Sequence, residues 1–168
     1  MSNTVENIES IPEARLLLRA LRSVGYTEEA AIADIIDNSL AVGATEIEIM
    51  FEWEKQRIII KDNGIGMSYD NLIKNMRIGS ADPHELRAPN DLGRCGMGMK
   101  TAAFSLGKRL TVVSKTNGEI CNAAWDLDAI PLIGWNLIVK KREEMTEIID
   151  MMGDQGTIVL IEELDRLI

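Results

Sequence analysis

The chain has 168 residues, of which 46% are hydrophobic and 27% charged, a balance that suits one globular domain with a single core. Its net charge of −9, with no basic cluster denser than Lys140-Lys141-Arg142, argues against non-specific nucleic-acid binding by this domain alone, which needs a basic face. No apolar run is long enough to span a bilayer, the opening MSNTVENIES lacks an apolar leader, and Cys95 and Cys121 form neither a disulfide framework nor a metal site. A reducing, cytoplasmic setting without a membrane partner is therefore expected.

In chain order, EARLLLRALRSV after Pro12 predicts an amphipathic helix closed by Gly25. Thr27 is placed to cap a second helix running from Glu28 to about Val42 and ended by Gly43. EIEIMFE alternates apolar and acidic residues as a half-buried strand does, and QRIIIKD follows as a second strand. Asp70 to about Met76 predicts a short helix. The stretch from Gly79 to Gly98 carries two prolines and four glycines with little periodicity, and a loop of that length in a compact domain usually serves function. Beyond it come a helix over MKTAAFSLG, a hairpin turning at Asn117-Gly118, a strand NLIVKK, a helix REEMTEIIDMM and a last strand TIVLIEE. The order α-α-β-β-α-loop-α-β-β-β-α-β predicts an α+β two-layer sandwich, with a mixed, mostly antiparallel sheet and helices on one face. It does not fit a doubly wound sheet.

Three segments invite a chemical reading. In IADIIDNSLAVGAT, helical periodicity puts Ile32, Ile35, Ile36 and Leu40 on one face and Asp34, Asp37 and Asn38 on another. That polar face is either a solvated surface or a site, and Asp and Asn are weak helix formers for a freely chosen surface. As a site, Asn38 offers one amide oxygen to a Mg²⁺ whose other ligands are phosphates and water, and Asp34 one turn earlier offers a carboxylate for the attacking water. In KDNGIGM, Asp62-Asn63-Gly64 is either a plain β-turn or a strand-end carboxylate that accepts from an adenine amino group, with Gly64 and Gly66 allowing close backbone approach. In LGRCGMGMKTAAFSLG, Gly93, Gly96 and Gly98 open into a helix whose free N–H groups suit phosphate; a flexible connector is the plain alternative. Lys100 in that first turn is disfavoured by the helix dipole unless an anion is near. Neither a P-loop nor a G-x-G-x-x-G fingerprint is completed.

Taken in order and spacing, IADIIDNSLAVGAT, KDNGIGM, GRCGMGMKTAAF and GDQGTIVLI resemble the four motifs of the GHKL (Bergerat-fold) ATPase superfamily, over roughly residues 28 to 162. The wording of the first and third motifs is closest to the MORC and MutL branches. The resemblance implies that ATP and Mg²⁺ are the ligands, with Asn38 on the metal and Asp34 in the catalytic base position. It implies that Asp62 holds the adenine amino group with help from Thr157, and that Gly64, Gly66 and Met67 shape that pocket. Gly93, Gly96, Met97, Gly98, Met99, Lys100 and Thr101 would wrap the phosphates, and residues from about 79 to 98 would form an ATP lid. It further implies slow hydrolysis coupled to lid closure, an ATP-dependent homodimer, and a DNA or protein client engaged through other regions.

Hydrolytic members usually carry Glu where this chain has Asp34, so a nucleotide-binding switch module without turnover is one alternative, and a histidine or protein kinase ATP-binding domain is another. No lysine from a transducer domain is matched, and the ending EELDRLI leads to the expectation of an N-terminal fragment of a longer protein. His84 in PHELRAP resembles a phospho-acceptor box of sensor kinases. Its place between the second and third motifs, flanked by Pro83 and Pro89, argues for coincidence. Trp53, Trp125 and Trp135 are expected to be packing residues.

Overall fold

The computed structural model describes residue 8 and residues 10–23, 25–79 and 98–166. Five strands form one sheet in the order β1-β2-β5-β3-β4: β1 (Ile47–Glu52), β2 (Arg57–Asp62), β3 (Gly107–Thr116), β4 (Glu119–Asp126) and β5 (Gly156–Leu164). Every neighbouring pair among them is antiparallel, so the sheet is simpler than the mixed one expected. The hairpin β3–β4 turns at Asn117 and Gly118, with φ of 50° and 80°, the doubly left-handed turn that matches strand twist.

Helices α1 (Ala14–Arg22), α2 (Glu28–Ala41), α3 (Tyr69–Met76), α4 (Gly98–Leu106) and the short α5 (Ile130–Ile133) supply residues to the main core. That core meets the sheet through Ile58, Ile60, Leu110, Val112, Val159 and Ile161. The period of two sends Ile59, Val113, Ile158 and Leu160 to the opposite face, where Met145 and Ile148 cover them. The layer of major helices is thus on one face, as expected. The segment read as one helix REEMTEIIDMM is a 3₁₀ turn, Arg142–Met145, followed by α6 (Thr146–Asp150), and it caps the other face.

Two helix starts follow their sequence signals. Thr27 Oγ1 accepts from Ala30 N–H at 3.3 Å, and Ser68 Oγ from Asn71 N–H at 3.4 Å. α4 is buried almost throughout, because it lies between α2 and the sheet; its Ala102 and Ala103 leave room for the neighbouring backbone.

Three further expectations change. NLIVKK makes no strand: it meets β4 through a single bridge, Ala124 with Ile138. Beyond the bridge the Asn122 side chain takes over the ladder, donating to Lys140 O at 2.9 Å and accepting from Lys140 N–H at 2.8 Å. The face of α2 is also rotated from the predicted one. Its buried residues are Ala31, Ile35 and Ser39, while Leu40 is 53% exposed. Finally, Trp53 is exposed and stacks on Phe51 rather than packing in the core, whereas Trp125 is buried.

Candidate nucleotide site

Two polar clusters lie along α2, one on each side of the Asn38–Ser39 step. The first centres on Asp62, 7% exposed at the end of β2. Its Oδ1 accepts from Gly64 N–H at 2.9 Å and Thr157 N–H at 3.2 Å, and its Oδ2 accepts from the Ser39 hydroxyl at 2.8 Å. The register that puts Asp62 opposite Thr157 is that of the β2–β5 ladder itself. Thr157 Oγ1 lies 2.9 Å from Ser114 Oγ, which also accepts from Met67 N–H at 2.8 Å. A carboxylate has four lone-pair sites, two per oxygen. Among the described residues three are taken, and one position on Oδ2 remains for an external N–H donor.

Gly66 and Gly156 are required by protein backbone, and Gly64 by a packed side chain. A Cβ on Gly66, at φ +69°, would sit 2.1 Å from Lys115 O, and one on Gly156 would sit 2.0 Å from Asp62 O. A Cβ on Gly64 would meet the Val42 side chain at 2.7 Å. The close approach anticipated for Gly64 and Gly66 is therefore to β3 and to the end of α2. Asn63 stitches the same turn to the loop after α2, accepting from Thr45 N–H at 2.8 Å and Glu46 N–H at 3.0 Å.

The second cluster lies at the other end of this stretch of α2. Asn38 donates its amide to Asp34 O at 2.7 Å, and its amide oxygen makes no hydrogen bond among the described residues. Tyr26 donates its hydroxyl to Asp34 Oδ2. That same oxygen is 3.7 Å from where a Gly98 Cβ would stand, so the start of α4 rests beside the Asp34 carboxylate. Asp34 and Ser39 are five positions apart on the helix, about 7.5 Å of rise.

Lys100 is placed differently from its expectation. It is 4% exposed, and its ammonium donates to Asn75 O at the end of α3. The dipole that disfavours a cation in the first turn of α4 is answered there by carbonyls at the C-terminus of another helix. Burial holds this amine down to about 8. The unfolded chain keeps an ordinary lysine near 10.5 and so binds the proton that the folded chain gives up. Stability should therefore rise with pH between about 8 and 10.5, by roughly 3 kcal/mol for this group. Lys100→Met is expected to remove that rise, which urea titrations at pH 8 and pH 10 will measure.

Met99 is half-buried against the main core and Thr101 is buried within α4. Gly93, Gly96 and Met97, like His84 and Cys95, lie outside the described residues. Sequence reasoning missed Ser39, Ser114 and Tyr26. Ser39 carried a signal, a small polar residue in the middle of a motif, but helical periodicity placed it beside Leu40 without distinguishing the two. Nothing local marked Ser114 or Tyr26, whose partners are 43 and 8 residues away.

Residues 26–156 match the family described as histidine kinase-, DNA gyrase B- and HSP90-like ATPase. The chain belongs to this family of GHKL ATPases. It is 25% identical over 203 residues to ATPase morc-1 of Caenorhabditis elegans, covering 96% of this chain and 24% of that protein. It is 31% identical over 124 residues to the DNA mismatch repair protein MutL of Pseudoalteromonas translucida, covering 71% and 19%. It is 31% identical over 106 residues to the chaperone protein HtpG of Rickettsia canadensis, covering 56% and 17%. The chain thus spans about a quarter or less of the length of these relatives. No helix among the described residues is long and apolar enough to cross a membrane.

Proposed function

We propose that this domain binds Mg-ATP, with the base at Asp62 and the phosphates between Asn38, Asp34 and the start of α4, and hydrolyses it slowly. The observation that carries the reading is the one acceptor position left on the buried Asp62 carboxylate. An adenine amino group donates into it. Guanine offers a carbonyl oxygen at the same place, so two acceptors would face each other and GTP is refused.

The donor set fits magnesium without a protein cage. No group of three His, Cys, Asp or Glu side chains is assembled for a metal among the described residues. Mg²⁺ needs few protein ligands when phosphates and water complete its shell, and the Asn38 amide oxygen is unpaired among the described residues. When bound, the metal screens the charge of the phosphates. The chain itself is acidic, at −9 overall, and so does not screen them by its net charge. Asn38→Ala is expected to weaken ATP by about tenfold in the presence of Mg²⁺ and by much less in its absence, as calorimetry with and without EDTA will show.

Nucleotide draws the glycine-rich segment, about 79–98, over the phosphates as an ATP lid. That closure favours a homodimer, through which a longer protein acts on DNA or another macromolecule. The test is amide exchange across 80–97 with and without Mg-ATP, where equal protection removes the lid. A second reading, nucleotide holding without turnover, is favoured by the short side chain of Asp34. It predicts tight binding and no phosphate release.

A further inference from the structure

We propose that Tyr26 is a positioning residue for hydrolysis, its hydroxyl fixing the Asp34 carboxylate so that the other oxygen faces the attacking water. This rests on the reading of Asp34 as the base of an ATPase site.

The geometry is specific. Tyr26 stands just before the Thr27 cap of α2, and its hydroxyl reaches forward to the Asp34 carboxylate. Its ring is packed against the main core, so the hydroxyl is held by the body of the domain. Among the described residues it is the one hydrogen-bond partner of the Asp34 side chain, and it takes Oδ2, the oxygen that also lies beside Gly98. Oδ1 is left to accept from a ligand. A carboxylate free to rotate about its terminal torsion samples a broad range. One oxygen pinned by a donor removes that freedom and fixes the direction of the second.

Asp is one methylene shorter than Glu, so its reach depends on orientation more than a longer side chain's does. Tyr26 supplies the orientation. In the step it serves, a water oxygen bonds to the γ-phosphorus while the bridging P–O bond breaks. The electron pair of that bond leaves with ADP, and the water's proton passes to Asp34 Oδ1. Tyr26 gives up no proton: its hydroxyl, pushed up to about 12 chiefly by the hydrogen bond to Asp34, stays a donor throughout.

The test is steady-state Mg-ATP hydrolysis by the 168-residue chain and by Tyr26→Phe, which keeps the ring and removes the hydroxyl. The expected result is a fall in kcat of about tenfold with KM within about twofold, since one charge-assisted hydrogen bond is lost and no ligand contact is. ADP with aluminium fluoride should weaken in parallel with kcat, and a non-hydrolysable ATP analogue should not. In an Asp34→Glu background the longer side chain reaches the water without the clamp, so Tyr26→Phe should cost under about threefold there. Equal losses in both backgrounds, or a loss shared by binding and melting temperature, would mean that the tyrosine only packs. Unchanged kcat in Tyr26→Phe, with an active wild type, overturns the positioning role alone. A wild type that binds ATP and releases no phosphate overturns the turnover reading, and the role of Tyr26 with it.

Discussion

Asp62→Asn is expected to bind Mg-ATP at least about a hundredfold more weakly than the wild type while melting within a few degrees of it. The reason lies in how the buried carboxylate is shared. Gly64 N–H and Thr157 N–H both point at Oδ1, so an asparagine must put its amide oxygen there. Its NH₂ then stands where Oδ2 was. The Ser39 hydroxyl can turn and accept from that NH₂, which keeps the fold satisfied. An adenine amino group cannot, because two donors would meet. A difference of about 3 kcal/mol follows from leaving that pair unmade in a dry pocket. Calorimetry of ATP and GTP against both proteins decides it. A variant that still binds ATP at the wild-type level would move the base away from Asp62.

The second large effect belongs to Gly66→Ala. At φ +69° the new Cβ would stand 2.1 Å from the carbonyl oxygen of Lys115, a backbone atom that cannot swing aside. Either the turn after β2 or strand β3 must shift, and both carry site residues. The expected cost is about 3 kcal/mol, a fall of roughly 10 °C in Tm. Gly43→Ala is the control, since φ there is +75° with nothing within 4 Å. It should lose only about 1 kcal/mol from backbone conformation. Differential scanning calorimetry of the pair separates collision from torsion, and near-equal melting temperatures would show that β3 yields easily.

Much of the fold and of the site is legible in the sequence, and the reasons differ from place to place. The helix starts at Thr27 and Ser68 and the Asn117-Gly118 turn rest on local chemistry, where a side chain meets backbone a few residues away. The motif order pointed to the ATPase family because its residues recur in fixed spacing. What escaped was long-range. Ser39 is buried because a carboxylate 23 residues on needs its hydroxyl, a demand that periodicity within α2 cannot express. Lys100 donates to the Asn75 carbonyl on α3, 25 residues earlier, a contact that periodicity within α4 cannot express. NLIVKK failed as a strand because one asparagine side chain on β4 took over its pairing.

The central place of β5 has a consequence for synthesis. This strand, last in the sequence of the five, sits between β2 and β3, and its first two residues complete the cradle of a carboxylate 95 positions earlier. On the ribosome, β1–β2 and β3–β4 emerge as two separate hairpins with no ladder between them. Until Gly156–Leu164 leaves the exit tunnel, both edges stay unpaired and exposed to association with other chains. On the proposed reading, nucleotide cannot template the earlier half, because Thr157, one of the three donors that hold Asp62, has not yet been made.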